Sequence, residues 1–160
     1  MSTVLAERRT DTHEGPIVVL LIGLRVNRWW KPWVWLPVAM AMGKMLAELG
    51  ADPEAGLLGY ETWPGRTTLM VQYWRSHEQL QAYAHARSRA HVPAWARYAR
   101  EVGDSGDVGV WHETYVVPAG AHESVYANMP AFGLGRAVGS TPATGRRHGA
   151  LGRMEASKGH

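Results

Sequence analysis

Residues 17–26 read IVVLLIGLRV, and this run limits the fold more than any other feature of the chain. β-Branched and apolar residues fill both alternating faces, so the segment is a strand covered on both sides and central in its sheet. The apolar stretch before Arg25 is about eight residues, well short of the ~20 that a spanning helix needs. Asn27, Arg28, Lys31 and Pro32 then end it. The N-terminus is polar through Glu14 and has no signal-peptide stretch. The expectation is a soluble, cytoplasmic protein with no membrane partner.

The rest of the order follows from local signals. Pro37 suits the first turn of a helix, with Val38, Met42, Met45, Leu46 and Leu49 at helical spacing and Gly50 as the stop. Gly56–Trp63 and Arg66–Arg75 read as strands joined by Pro64-Gly65, the central pair of a type II turn. Ser76-His-Glu-Gln is a capping box opening a helix to about Ala86. A second helix restarts at Pro93, and Val108–Val117 is a further strand. The plan is β-α-β-β-α-β, an α+β ferredoxin-like fold with both helices on one face of an antiparallel sheet. Because the central strand is apolar on its other face too, a second copy in a symmetric homodimer is the simplest cover. At 160 residues the chain holds one domain. It is expected to run from 16 to 130, with a disordered arm at 1–15 and a mobile tail at 131–160 rich in Gly, Ala, Arg, Ser and Thr. His122–Met129 reads as an extra strand or an arm crossing to the partner.

Composition removes several functions. There is no Cys, hence no thiolate metal site or cysteine nucleophile. Residues 1–130 hold 12 Lys and Arg against 13 Asp and Glu, while the tail holds five against one. The basicity therefore lies in the tail, and a nucleic-acid partner is not expected. No phosphate-cradling Gly loop, Gly-x-Ser-x-Gly elbow or H-x-x-x-H pair occurs.

The candidates for chemistry are few. His91 stands ahead of the Pro93 helix start, where the positive end of a helix disfavours a second proton and keeps the ring able to accept one. Trp95, one turn on, shields it. His112 shares a strand face with Val110 and Thr114, whereas Trp111, Glu113 and Tyr115 take the other. Arg25 and Asn27, two apart at a strand end, can hold an oxyanion, and Tyr73 and Arg75 end the hairpin in a similar way. Trp29, Trp30, Trp33 and Trp35 read first as a dimer seam or a pocket seal, and only after these as a membrane-surface contact.

Several of these segments resemble one family. Ile22-Gly-Leu-Arg-Val-Asn-Arg28, Gly56-Leu-Leu-Gly-Tyr60, Val71-Gln-Tyr-Trp-Arg-Ser76, Ala90-His-Val-Pro-Ala-Trp95 and Val108-Gly-Val-Trp-His-Glu-Thr-Tyr115 are similar to bacterial and fungal proteins labelled monooxygenases by kinship to polyketide-tailoring enzymes. Asn128-Met-Pro130 and Phe132-Gly-Leu-Gly135 match the same family's C-terminal arm. The resemblance implies a dimeric α+β barrel akin to the cofactor-free monooxygenases of antibiotic biosynthesis. Those enzymes deprotonate an electron-rich phenol or enol in an apolar pocket, and the anion itself reduces O2 without flavin or metal. On this reading His91 or His112 is the base and Arg25 and Asn27 hold the oxyanion. Trp74, Trp95, Trp111, Tyr73, Tyr115 and Glu113 line the substrate site, and the substrate is an aromatic or polyketide-like molecule. The same superfamily also contains haem proteins such as aldoxime dehydratases and chlorite dismutases, so the alternative is haem with His91 or His112 as axial ligand. A third reading is a non-catalytic small-ligand binder.

Overall fold

The computed structural model describes residues 3–86 and 88–159; Met1, Ser2, Arg87 and His160 lie outside it. Its main sheet has four antiparallel strands: β2 (Ile17–Val26), β3 (Leu57–Trp63), β4 (Leu69–Trp74) and β5 (Val108–Val117), in the order β3-β4-β2-β5. A short ribbon pairs β1 (Arg9–Asp11) with β6 (Ser140–Pro142). The helices α1 (Pro32–Ala51), α2 (His77–His85) and α3 (His91–Glu101) lie on one face of the main sheet, and α4 (Gly133–Val138) packs beside β3. This is the α+β ferredoxin-like arrangement. β2 is central, as a strand apolar on both faces must be, and β5 is an edge.

Cross-strand register decides which side chains share a face. Ile22 stands between Met70 and His112, Leu20 between Gln72 and Thr114, and Val18 between Trp74 and Val116. These three rows all point toward the helices. Beneath the helices the core is split in two. Val18, Leu20, Leu49, Trp74, Leu80 and Tyr83 form one cluster, and Leu24, Val26, Val102 and Val108 form the other. Each fully buried side chain of this size contributes about 1.5–3 kcal/mol.

Four expectations need correction. The first helix begins at Pro32, with Pro37 inside it. Pro32 is acceptable in the first turn because its missing N–H has no helical partner there, and apolar residues inward of Pro37 hold the helix against the lost bond. The hairpin does not turn at Pro64-Gly65 alone: Trp63 pairs with Leu69, and Gly65 lacks a positive φ. Residues 66–68 instead bond to β2, through Val26 N–H to the Arg66 carbonyl (2.8 Å) and Thr68 N–H to the Leu24 carbonyl (2.8 Å). The arm and tail, expected to be disordered, are joined: β1 pairs with β6, and Leu5 and Arg9 bridge to Met129 and Tyr126. Buried Arg153 donates to Glu123 (2.6 Å) and to the carbonyl of His148 (2.8 Å). Pairing over such sequence distances leaves no local periodicity to read. Finally, the second sheet face is not bare. Over β3 it is covered by the chain's own α4, with Gly59 so close to Ala137 that a Cβ on it would stand 2.6 Å from the alanine methyl. Phe132 meets Trp63 edge-on at 6.0 Å. The β5 side of that face stays open, with Tyr115 51% exposed.

Candidate active site

Two adjoining cavities lie between the sheet and the helices. The first, about 360 Å³, is floored by Leu20, Ile22, Met70, Gln72 and Trp74 and roofed by Met45 and Leu49 of α1 and Tyr83 of α2. The second, about 470 Å³, lies between β2, β5, α1 and α3, with Val38, Val110, Trp95 and Tyr98 in its wall. Ile22, Met42, Met45, His91 and His112 line both. The walls are apolar and rich in methionine, a side chain that adapts to irregular ligands.

His91 and His112 are thus brought together from separate elements. His91 is the first residue of α3, one position into the helix rather than ahead of it. Its Nδ1 lies 2.9 Å from the Ala84 carbonyl oxygen. A carbonyl can only accept, so Nδ1 carries the hydrogen and a neutral ring leaves Nε2 as an acceptor. His112 sits on edge strand β5, exposed, and no hydrogen bond from the described residues closes on its ring.

Gln72 and Tyr83 are functional candidates that the sequence reading missed. Gln72 is 7% exposed on the first cavity's floor. The indole N–H of Trp74 donates to its side-chain oxygen at 2.9 Å. Because an indole N–H is a donor only, that contact assigns oxygen and nitrogen of the amide. The amide nitrogen then meets only the Met70 sulfur, at 3.2 Å, a weak acceptor that leaves the donor underused. Strand parity was the available signal: Met70, Gln72 and Trp74 alternate along β4, so singling out Trp74 places Gln72 on the same face. Burial first, then the nearby Glu48 carboxylate, pushes the Tyr83 hydroxyl up to about 12. It therefore remains a donor at neutral pH.

The remaining candidates divide cleanly. Trp74 and Trp95 line the cavities, and Trp95 stacks on Tyr98 at 5.4 Å. Trp111 points to the far face but touches the second cavity, because its neighbour Gly23 has no side chain; its indole N–H is buried without a partner. Arg25 and Asn27 are outside both linings, and Arg25 bonds the Thr67 hydroxyl (2.6 Å). The structure does not bring this pair to the histidines, since odd-numbered β2 residues face away from the helices. Tyr73 is also on the far face, where burial, Tyr126 and Glu61 raise its hydroxyl. Tyr115 donates to Glu113 (2.8 Å) on the exposed side of β5. None of Trp29, Trp30, Trp33 and Trp35 is among the residues lining either of these two cavities.

Comparison with known proteins places this geometry. The family model for monooxygenase af470-like proteins matches residues 17–134. Monooxygenase af470 of Aspergillus fumigatus is 27% identical over 137 residues, covering 79% of this chain and 48% of that protein. The chain therefore spans about half the length of the curated relative it matches. Among solved structures, an aldoxime dehydratase in complex with butyraldoxime superposes with a TM-score of 0.65 at 15% identity, covering 84% of this chain and 43% of the other. At that identity the likeness concerns the fold.

Proposed function

Because the chain belongs to the monooxygenase af470-like family, we propose that it is a cofactor-independent monooxygenase of an aromatic or polyketide-like substrate carrying an acidic hydroxyl or methylene. The observation that supports this reading best is His91: a ring pinned through Nδ1 that presents an accepting Nε2 beside two joined apolar cavities.

His91 removes a proton from the substrate. The resulting anion lies among Ile22, Met42, Met45 and Met70, where little water competes and each donor counts for more. The Gln72 amide is the donor available to its oxygen, since the Tyr83 hydroxyl already donates toward the Glu48 carboxylate and the Met45 carbonyl, both at 3.5 Å. One electron passes from the anion to O2, the two radicals join at carbon, and the peroxide takes the proton back from His91. Loss of water leaves a carbonyl, so one methylene and one O2 become one C=O and one water. Gln72 and His112 are two strands and one row apart, roughly 12 Å at the backbone by strand geometry. That span suits a fused-ring molecule. The open β5 side of the sheet, with Trp111, Glu113 and Tyr115, is the surface for a second copy, giving a homodimer.

Anaerobic mixing with a dihydroxyanthrone tests the first step. The wild-type protein should develop the absorbance of the bound anion at neutral pH, and His91→Ala should bind the neutral form. A neutral bound substrate in the wild type would overturn the assignment.

The same pinned imidazole supports a second reading. An Nδ1–H held by a backbone carbonyl also orients Nε2 as a metal ligand, so His91 would be the residue that holds a haem, which would supply redox chemistry when bound. Titration with hemin separates the two readings. A Soret shift in wild type that His91→Ala abolishes favours haem.

A further inference from the structure

Among the described residues, none covers the outward side of α1 and the loop before it. Trp29 is 68% exposed, Trp30 55%, Trp33 71%, Leu36 46% and Met40 58%. Trp33, Leu36 and Met40 are three and four apart, so they form one stripe along the helix, and Trp29 and Trp30 extend it in the loop before Pro32. The opposite side of α1 supplies Val38, Met42 and Met45 to the cavities, so the helix is apolar on both sides.

Cations flank the stripe where the helix begins. Arg28 and Lys31 lie in the loop and both bond the buried carboxylate of Asp107, at 2.6 and 2.9 Å. Arg66, at the hairpin tip, donates to the carbonyls of Val26 and Asn27 (both 3.1 Å), and Arg25 ends β2 beside it. The carboxylates at this end are Asp104 and Asp107 of the adjoining turn and Glu101, which packs with Arg97 against Val34 and Pro37 of α1 and pairs with Arg97 at 2.8 Å. Five cations, Arg25, Arg28, Lys31, Arg66 and Arg97, thus stand against three carboxylates.

A second copy is a poor occupant. A two-fold contact centred on the three exposed Trp would set this basic rim against itself, and like charges across an interface cost energy. An indole ring with a wet N–H and a flat apolar body belongs at the headgroup level of a bilayer, and Arg and Lys beside it meet lipid phosphates.

We infer that this end of the molecule docks on an anionic lipid surface. Trp29, Trp30 and Trp33 enter the headgroup layer, and Arg25, Arg28, Lys31 and Arg66 face the phosphates. α1 lies along the surface rather than across it, since its inner side is packed on the sheet. The inference holds whether or not the cavities are catalytic.

Sedimentation with sucrose-loaded vesicles tests it. Wild-type protein should bind vesicles of phosphatidylserine and phosphatidylcholine at about a 3:7 ratio, and bind more weakly to phosphatidylcholine alone or at high salt. Replacing Trp29, Trp30 and Trp33 together by Ser should reduce binding at least about tenfold, with unchanged circular dichroism and sedimentation coefficient. If the triple variant misfolds, Trp33→Ser alone serves, with a reduction of about threefold expected. The inference is overturned if wild type leaves both vesicle types unbound, or if the variants bind as wild type does. It is also overturned if the triple variant turns a dimer into a monomer, which would make the stripe a seam between copies.

Discussion

Replacing Trp74 by Phe keeps an aromatic ring at a site only 1% exposed and removes the N–H that orients Gln72. The amide oxygen loses the indole donor that satisfies it, at a cost of about 1–3 kcal/mol. The smaller ring adds about 1 kcal/mol for imperfect filling. On a domain of this size 1 kcal/mol moves the melting point by about 2–4 °C, so the variant should melt about 4–16 °C lower. Gln72→Leu leaves the indole N–H unpaired and should incur a similar polar penalty. The double variant removes both polar atoms at once, so its loss should fall short of the summed single losses by about 1–3 kcal/mol. Urea unfolding followed by far-ultraviolet circular dichroism measures all four corners without relying on the eight Trp. If the single losses simply add, the two side chains are not coupled, and the orientation of the Gln72 amide loses its warrant.

Two further perturbations address the joined termini. Burial pushes the Asp11 carboxyl up, but hydrogen bonds from His122, Ser124 and the His13 N–H more than offset this and hold it below its ordinary 3.8. A carboxyl depressed by folding stabilises the protein above its unfolded value and loses that contribution as pH falls through the folded value. The melting-point gap between wild type and Asp11→Asn should therefore be steady above about pH 5 and shrink as pH falls through 3.8 and on through the lower folded value; a constant gap would refute the linkage. Arg153→Met leaves Glu123 unpaired at one open side and should cost about 2–3 kcal/mol. Limited trypsin digestion should then cut faster at Arg146 and Arg147, and an unchanged rate would deny Arg153 its part in holding the tail.

What the sequence makes legible is local. Ile17–Val26 and Val108–Val117 are strands with the expected bounds, because short runs rich in β-branched and aromatic residues and bounded by turn residues favour extended chain. Ser76 caps α2 by accepting from Gln79 N–H, although the Gln79 side chain bonds the Glu54 carbonyl instead of completing the box. The histidines were found by residue type, and their meeting follows from strand register plus the position of α3. Gln72 was hidden among apolar neighbours, since one polar residue on a strand face reads as an exception until its partner Trp74 is seen. Arg25 and Asn27 misled because sharing a face does not say which face. The tail's order depends on contacts such as Arg153 with Glu123 and Thr10 with Thr141, pairings that no sequence window contains.

The most direct trial of the His91 assignment is oxygen uptake by purified protein freed of metal and flavin, with a dihydroxyanthrone as substrate. The account predicts uptake by the wild type, one O2 per carbonyl formed, and a rate at least about 100-fold lower in His91→Ala, as loss of a general base requires. No uptake by the wild type, or an equal rate in the variant, would contradict it.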